Sequence, residues 1–169
     1  MFQPKDLIVY GSTGVCRVEA VEQTSLSAGE KGRLYYRLNP LHQDGLIYTP
    51  VDGGKVPMRA VIDREEAEAL VALMPTLDIE PCQGGTLQAL AQHYQAVVRT
   101  HDCRELLELI LSIYAKRRQA EAQKRRLGMV DEQYRKQAER LLHGELSVAL
   151  GIPFDEMEAY LAKRMGQAT

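Results

Sequence analysis

The chain has 169 residues, 45% of them apolar, with 21 Lys and Arg against 23 Asp and Glu. That is enough for one domain or two small ones with a real core, and it argues against a disordered chain. Apolar runs of only a few residues fall far short of the ~20 that cross a bilayer, and Met1-Phe2-Gln3-Pro4 begins no signal peptide, so a cytoplasmic protein without membrane contact is expected.

Leu7 to Tyr10 is an apolar, β-branched run, Gly11-Ser12-Thr13-Gly14 tolerates the positive φ of a tight turn, and Cys16, Val18 and Ala20 alternate with Arg17 and Glu19. The pattern predicts strand, turn and strand. Such a hairpin needs further strands to be stable. Leu34, Tyr36 and Leu38 supply one, alternating with Arg33, Tyr35 and Arg37; Leu46 to Val51 and Met58 to Val61 supply two more. Pro50 and Pro57 donate no ladder hydrogen bond, which confines them to strand ends, bulges or an edge. Five short strands in about sixty residues predict a small SH3- or Tudor-like β-barrel. Tyr35 and Tyr36 point to opposite faces of one strand, so one is expected in the barrel core and the other exposed.

From Asp63 the period becomes helical. Asp63 with Glu66 forms a capping-box-like start, and Ala67, Leu70, Val71 and Met74 recur at helical spacing until Pro75. Residues 76–85, with Pro81 and Gly84-Gly85, keep neither period and read as a linker. Leu87, Leu90, Ala91, Tyr94, Val97 and Val98 form the next stripe; Asp102 with Glu105 caps a helix carrying Leu106, Leu107, Ile110, Ile113 and Tyr114. Asp131 is expected to open a third helix that ends at Gly151, and Pro153 to sit in the first turn of a fourth. The predicted architecture is therefore α+β: a barrel with a trailing helix at 1–75, a linker at 76–85, and an all-α bundle at 86–169.

Chemistry-bearing clusters are scarce. Cys16, Cys82 and Cys103 are widely spaced without a C-x-x-C, so neither a zinc site nor a disulfide framework is expected, and the thiols read as buried or idle. His101-Asp102-Cys103 are sequence neighbours that do not form a base-oriented triad easily, and Asp102 serves better as a helix cap. His42, His93 and His143 are scattered, His143 beside the stripe of the third helix. Gly11 to Gly14 lacks the lysine and following helix of a phosphate loop. No catalysis, cofactor, metal or small-molecule ligand is expected.

Charge is uneven: residues 82–169 hold thirteen basic against eleven acidic groups, whereas 63–81 hold one against six. The run K-R-R-Q-A-E-A-Q-K-R-R contains Lys116, Arg117, Arg118, Lys124, Arg125 and Arg126 with one acid. Carried on a helix, several of these could face phosphates together. A solvated helix end with cations favoured by the macrodipole accounts for them equally.

The motifs D-L-I-V-Y-G-S-T-G-V at 6–15, Tyr35-Tyr36, I-Y-T-P-V at 47–51, Met58-Arg59 and G-E-L-S-V-A-L-G-I at 144–152 resemble the CarD/CdnL transcription regulators. Their barrel is shared with the polymerase-interacting domain of the transcription-repair coupling factor. The resemblance implies a non-catalytic bacterial regulator that docks its barrel on the RNA polymerase β subunit, partly through strand-edge hydrogen bonds. It also implies a helical domain that reaches promoter DNA and modulates open-complex stability. Positions matching the family's polymerase contacts are Thr24, Leu26 and Tyr48; family members often carry basic residues at the first and third. They also place a tryptophan wedge where this chain has Cys82-Gln83-Gly84-Gly85, and the chain contains no tryptophan. DNA contact is accordingly expected to be electrostatic, weak and non-specific, through the six basic residues. An RNA-binding or ribosome-associated adaptor built on an SH3-like barrel is the competing expectation.

Overall fold

The structure, a computed structural model, describes residues 2–24, 32–52, 54–81 and 85–166. The chain divides into two compact units, Met1–Val61 and Ile62–Thr169.

The first unit is a five-stranded antiparallel sheet: β1 (Leu7–Tyr10), β2 (Gly14–Thr24), β3 (Arg33–Pro40), β4 (Ile47–Pro50) and β5 (Met58–Ala60), in the order β4-β3-β2-β1-β5. A 3-10 turn over Gly11–Thr13 closes the first hairpin, with Tyr10 opposite Gly14. Gly11 has φ +46°, and a Cβ there would stand 2.5 Å from Val56 Cγ1, so the turn needs glycine for both conformation and space. Side chains at every second position, Ile8, Cys16, Val18, Tyr36 and Leu38, form the core of the unit. A bulge between Val18 and Ala20 resets the alternation, so that Val21 is the next β2 residue packed on that core.

Two expectations change here. The predicted closed barrel is not formed by strand pairing: β4 and β5 stand at opposite ends of the order and share no ladder among the described residues. Both are short, and Pro50 and Pro57 remove donors at the end of one and beside the start of the other. Tyr35 and Tyr36 do lie on opposite faces, yet both are buried, at 5% and 2% exposure. Tyr36 sits in the core, its hydroxyl accepting from the Phe2 N–H at 3.0 Å. Arg33 lies over the Tyr35 ring, 5.9 Å from its centroid.

The second unit contains α1 (Arg64–Leu73), α2 (Leu87–Thr100), α3 (Cys103–Ala122), α4 (Met129–Leu150) and α5 (Met157–Gly166). Side-chain caps start three of them: Asp63 accepts from the Glu66 N–H at 2.7 Å, Thr86 from Ala89 at 3.1 Å and Asp102 from Glu105 at 3.0 Å. Gly151, left-handed at φ 70°, ends α4. Helix α4 opens at Met129 rather than Asp131, and Pro153 precedes a 3-10 turn over Phe154–Glu156 instead of lying within the last helix.

One core runs through all five helices and includes Ala67, Val71 and Met74. The helix expected to trail the barrel therefore belongs to the helical unit, because its apolar stripe packs in that core. Leu77 also packs on this core, so part of the expected 76–85 linker is structural. Among the described residues no helix is long and apolar enough to cross a membrane.

Candidate binding surfaces

Of the three sheet positions expected to meet polymerase, Tyr48 is the one whose surroundings are defined. It lies on β4 opposite Arg37 and is 43% exposed; Leu46, just before the strand, is 55% exposed. Arg37 is held beside it by Glu22 at 2.7 Å. Because β4 ends the sheet order, one of its edges has no partner strand among the described residues, and such an edge can accept another chain. Thr24 ends β2 opposite Arg33, four residues along β3 from the position facing Tyr48, so the two are not adjacent. Leu26 lies outside the described residues, as do Cys82 to Gly84.

The basic run is divided by the fold. Lys116, Arg117 and Arg118 belong to α3, which stops at Ala122; Lys124, at φ 58°, then turns the chain while the Arg125 N–H returns to the Ala120 carbonyl at 2.7 Å. The single basic helix face expected from sequence is thus replaced by a helix end and a connection. Two of its cations are engaged. Lys116 Nζ donates to Asp131 Oδ1 at 3.1 Å, and Arg117 donates to Glu132 Oε1 at 2.8 Å. Arg118, Lys124, Arg125 and Arg126 are exposed and make no ion pair among the described residues.

The acids that engage Lys116 and Arg117 sit in the first turn of α4, where the helix N-terminus favours negative charge. Asp131 is only 3% exposed and also accepts from the Tyr94 hydroxyl at 2.6 Å. Gly128 leaves room for it, since a Cβ there would approach Asp131 Oδ2 to 3.2 Å. Glu132 accepts from Arg135 as well as Arg117, and those two hydrogen bonds hold its carboxyl down at about 2. Arg135 continues to Glu139 at 2.8 Å, and Glu139 accepts from the Tyr114 hydroxyl. Burial, followed by that bond, raises the Tyr114 pKa well above the usual phenol value. Leu87, two turns before Tyr94 on α2, is 71% exposed, and Met129 at the start of α4 is 90% exposed. Met129 directly follows the connection that carries Lys124, Arg125 and Arg126.

The residues tested for chemistry find structural partners. Asp102 caps α3, while the Cys103 thiol donates to Glu145 Oε1 at 3.0 Å. Glu145, 2% exposed, takes the Ile62 N–H on its other oxygen at 2.9 Å. Cys16 is buried and its thiol is pushed up to about 11 by desolvation. His143 is half-buried, and desolvation lowers its pKa against the pull of Glu139 and Glu158. No cluster of metal-ligating side chains is present among the described residues. Leu87, Met129, Asp131 and Glu132 were not singled out as contact or pairing residues by sequence. Only the equal spacing of Lys116 to Asp131 and Arg117 to Glu132 hinted at the pairing.

Comparison with known proteins places the first unit. Residues 2–62 match the family model of the CarD-like/TRCF RID domain. The N-terminal unit is therefore similar in sequence to the CarD-like/TRCF RID domain. The match covers this unit and leaves the helical unit outside it. No curated protein significantly matches the chain.

Proposed function

We propose that this chain is a non-catalytic bacterial transcription regulator acting in the cytoplasm, docking its N-terminal unit on the RNA polymerase β subunit and touching promoter DNA with its helical unit. The observation that carries the reading is the CarD-like/TRCF RID match over residues 2–62. Supporting it, β4 ends the sheet with Tyr48 and Leu46 exposed, so a partner strand could align on its edge while aromatic and aliphatic side chains anchor it. Thr24 and Leu26 are proposed to complete that contact.

On the DNA side, the proposed contacts narrow to Arg118, Lys124, Arg125 and Arg126, because Lys116 and Arg117 are committed to acids of α4. Contact is electrostatic, salt-sensitive and indifferent to sequence. Met129, exposed at the start of α4 just after the basic connection, is an apolar side chain available to it. Tethering to polymerase raises the local concentration of this weak surface at the promoter.

The test is a titration of the isolated polymerase β lobe with the wild type and Tyr48→Glu. A charge buried in a close interface costs about 2 kcal/mol or more, so affinity should fall by at least about tenfold. Unchanged affinity with the sheet intact by circular dichroism removes Tyr48 from the interface. Capture from bacterial extract of ribosomal proteins or RNA without polymerase would replace this reading with that of an adaptor.

A further inference from the structure

The helical unit holds an apolar groove that shares Arg118 with the proposed DNA contacts and is otherwise separate from them. Leu107 and Ile110 of α3, Leu142 of α4, and Leu161 and Met165 of α5 wall a cavity of about 360 Å³. That size lies at the lower end of the range for small-molecule sites, about 300–1,000 Å³, and the mostly apolar wall with a few polar groups is their usual composition.

The polar groups in the lining are Arg117, Arg118, His143, Glu158 and the Tyr114 hydroxyl, which is given to Glu139. Arg117 lies over the Tyr114 ring, 5.5 Å from its centroid, and gives one amino group to Glu132, which leaves further N–H donors on its guanidinium. Arg118 is exposed and makes no ion pair among the described residues. Desolvation lowers the His143 pKa, so at neutral pH its imidazole adds hydrogen-bonding capacity without charge. Glu158 acts electrostatically on His143 and disfavours a second negative charge in the groove. The groove thus offers an apolar trough, one cation without an ion pair among the described residues, and a carboxylate that disfavours more than one negative charge on a ligand.

We infer that this groove binds a small amphipathic anion, a straight-chain aliphatic monocarboxylate, with its chain along the apolar walls of α3 and α5 and its carboxylate on the guanidinium of Arg118. A guanidinium fork matches a carboxylate in both charge and shape, and the chain gains by leaving water. Neither half suffices: a short carboxylate leaves the trough unfilled, and a chain with a cationic head meets Arg118 as a like charge.

The test is calorimetric titration of the full chain with decanoate below its micelle concentration, beside butyrate and decyltrimethylammonium. Decanoate should bind saturably at one site, and each of the other two at least about tenfold more weakly. Arg118→Glu should weaken decanoate by about tenfold or more, and Ala162→Trp, which fills the groove from an exposed position on α5, should abolish binding. Both variants should keep the wild-type helical circular dichroism, since neither residue is buried. Absence of saturable binding, equal binding of the cationic chain, or full affinity in either folded variant overturns the inference. No DNA is present, so these outcomes leave the nucleic-acid reading untouched.

Discussion

The Tyr94 hydroxyl donates to Asp131 Oδ1 at 2.6 Å across the helical unit, and the ammonium of Lys116 reaches the same oxygen at 3.1 Å. One buried carboxylate in the first turn of α4 thereby ties down α2 and α3. Tyr94→Phe leaves the ring packing but removes a donor to a buried charge, which should lower stability by about 1–2 kcal/mol in urea unfolding. Lys116→Met should cost a similar amount, whereas Arg118→Met, at an exposed position, should change stability little. An unshifted midpoint for Tyr94→Phe would mean that the hydroxyl contributes nothing net.

Glu132 carries a pH signature. Arg135 first, and Arg117 second, hydrogen-bond its carboxylate and lower its pKa from the ordinary 4.5 to about 2. The folded-state value is the depressed one, so the stabilisation is fully present above the ordinary pKa and is lost as pH falls towards 2. Unfolding measured from pH 7 to pH 2 should show Glu132→Gln less stable than wild type by a constant margin down to about pH 5, with the gap closing below. A margin that grows on acidification would contradict the assignment.

Fragment behaviour separates the domain boundaries. The fragment 62–169 retains Ala67, Val71 and Met74, all buried in the helical core, while 86–169 lacks them. The longer fragment should unfold cooperatively, and the shorter one should lose several kcal/mol or fail to fold, since large parts of that core would be exposed. Equal stability of the two would show α1 to be dispensable.

Neutralising cations should give different results at different positions. Changing Arg118, Lys124, Arg125 and Arg126 together should reduce the slope of log affinity for duplex DNA against log salt by about 3 to 4, without destabilising the fold. Changing Lys116 and Arg117 should instead lower stability, because Asp131 and Glu132 lose their partners. Identical salt slopes for wild type and the fourfold variant would mark the basic connection as a solvated surface.

What was legible before folding is local. The strands at Leu7 and Met58, the turn at Gly11 and the caps at Asp63 and Asp102 each depend on residues within a few positions of one another, where steric limits and short hydrogen bonds act directly. The resemblance drawn from the motifs at 6–15, 35–36, 47–51, 58–59 and 144–152 agrees, for the N-terminal unit, with the family match over residues 2–62. Contacts distant in sequence were decided by the tertiary structure. The alternation of β3 places Tyr35 and Tyr36 on opposite faces, and says nothing about Arg33 lying over one and Phe2 beside the other. The stripe of α1 is equally apolar whichever unit receives it; packing assigned it to the helices. The six cations looked equivalent as a run. The antiparallel register of α3 and α4 then set Lys116 and Arg117 against Asp131 and Glu132, and the end of α3 at Ala122 turned the other basic cluster away from the helix. Helix periodicity specifies which residues share a face, but the register between two helices depends on side-chain packing and charge pairing that arise only once both are folded.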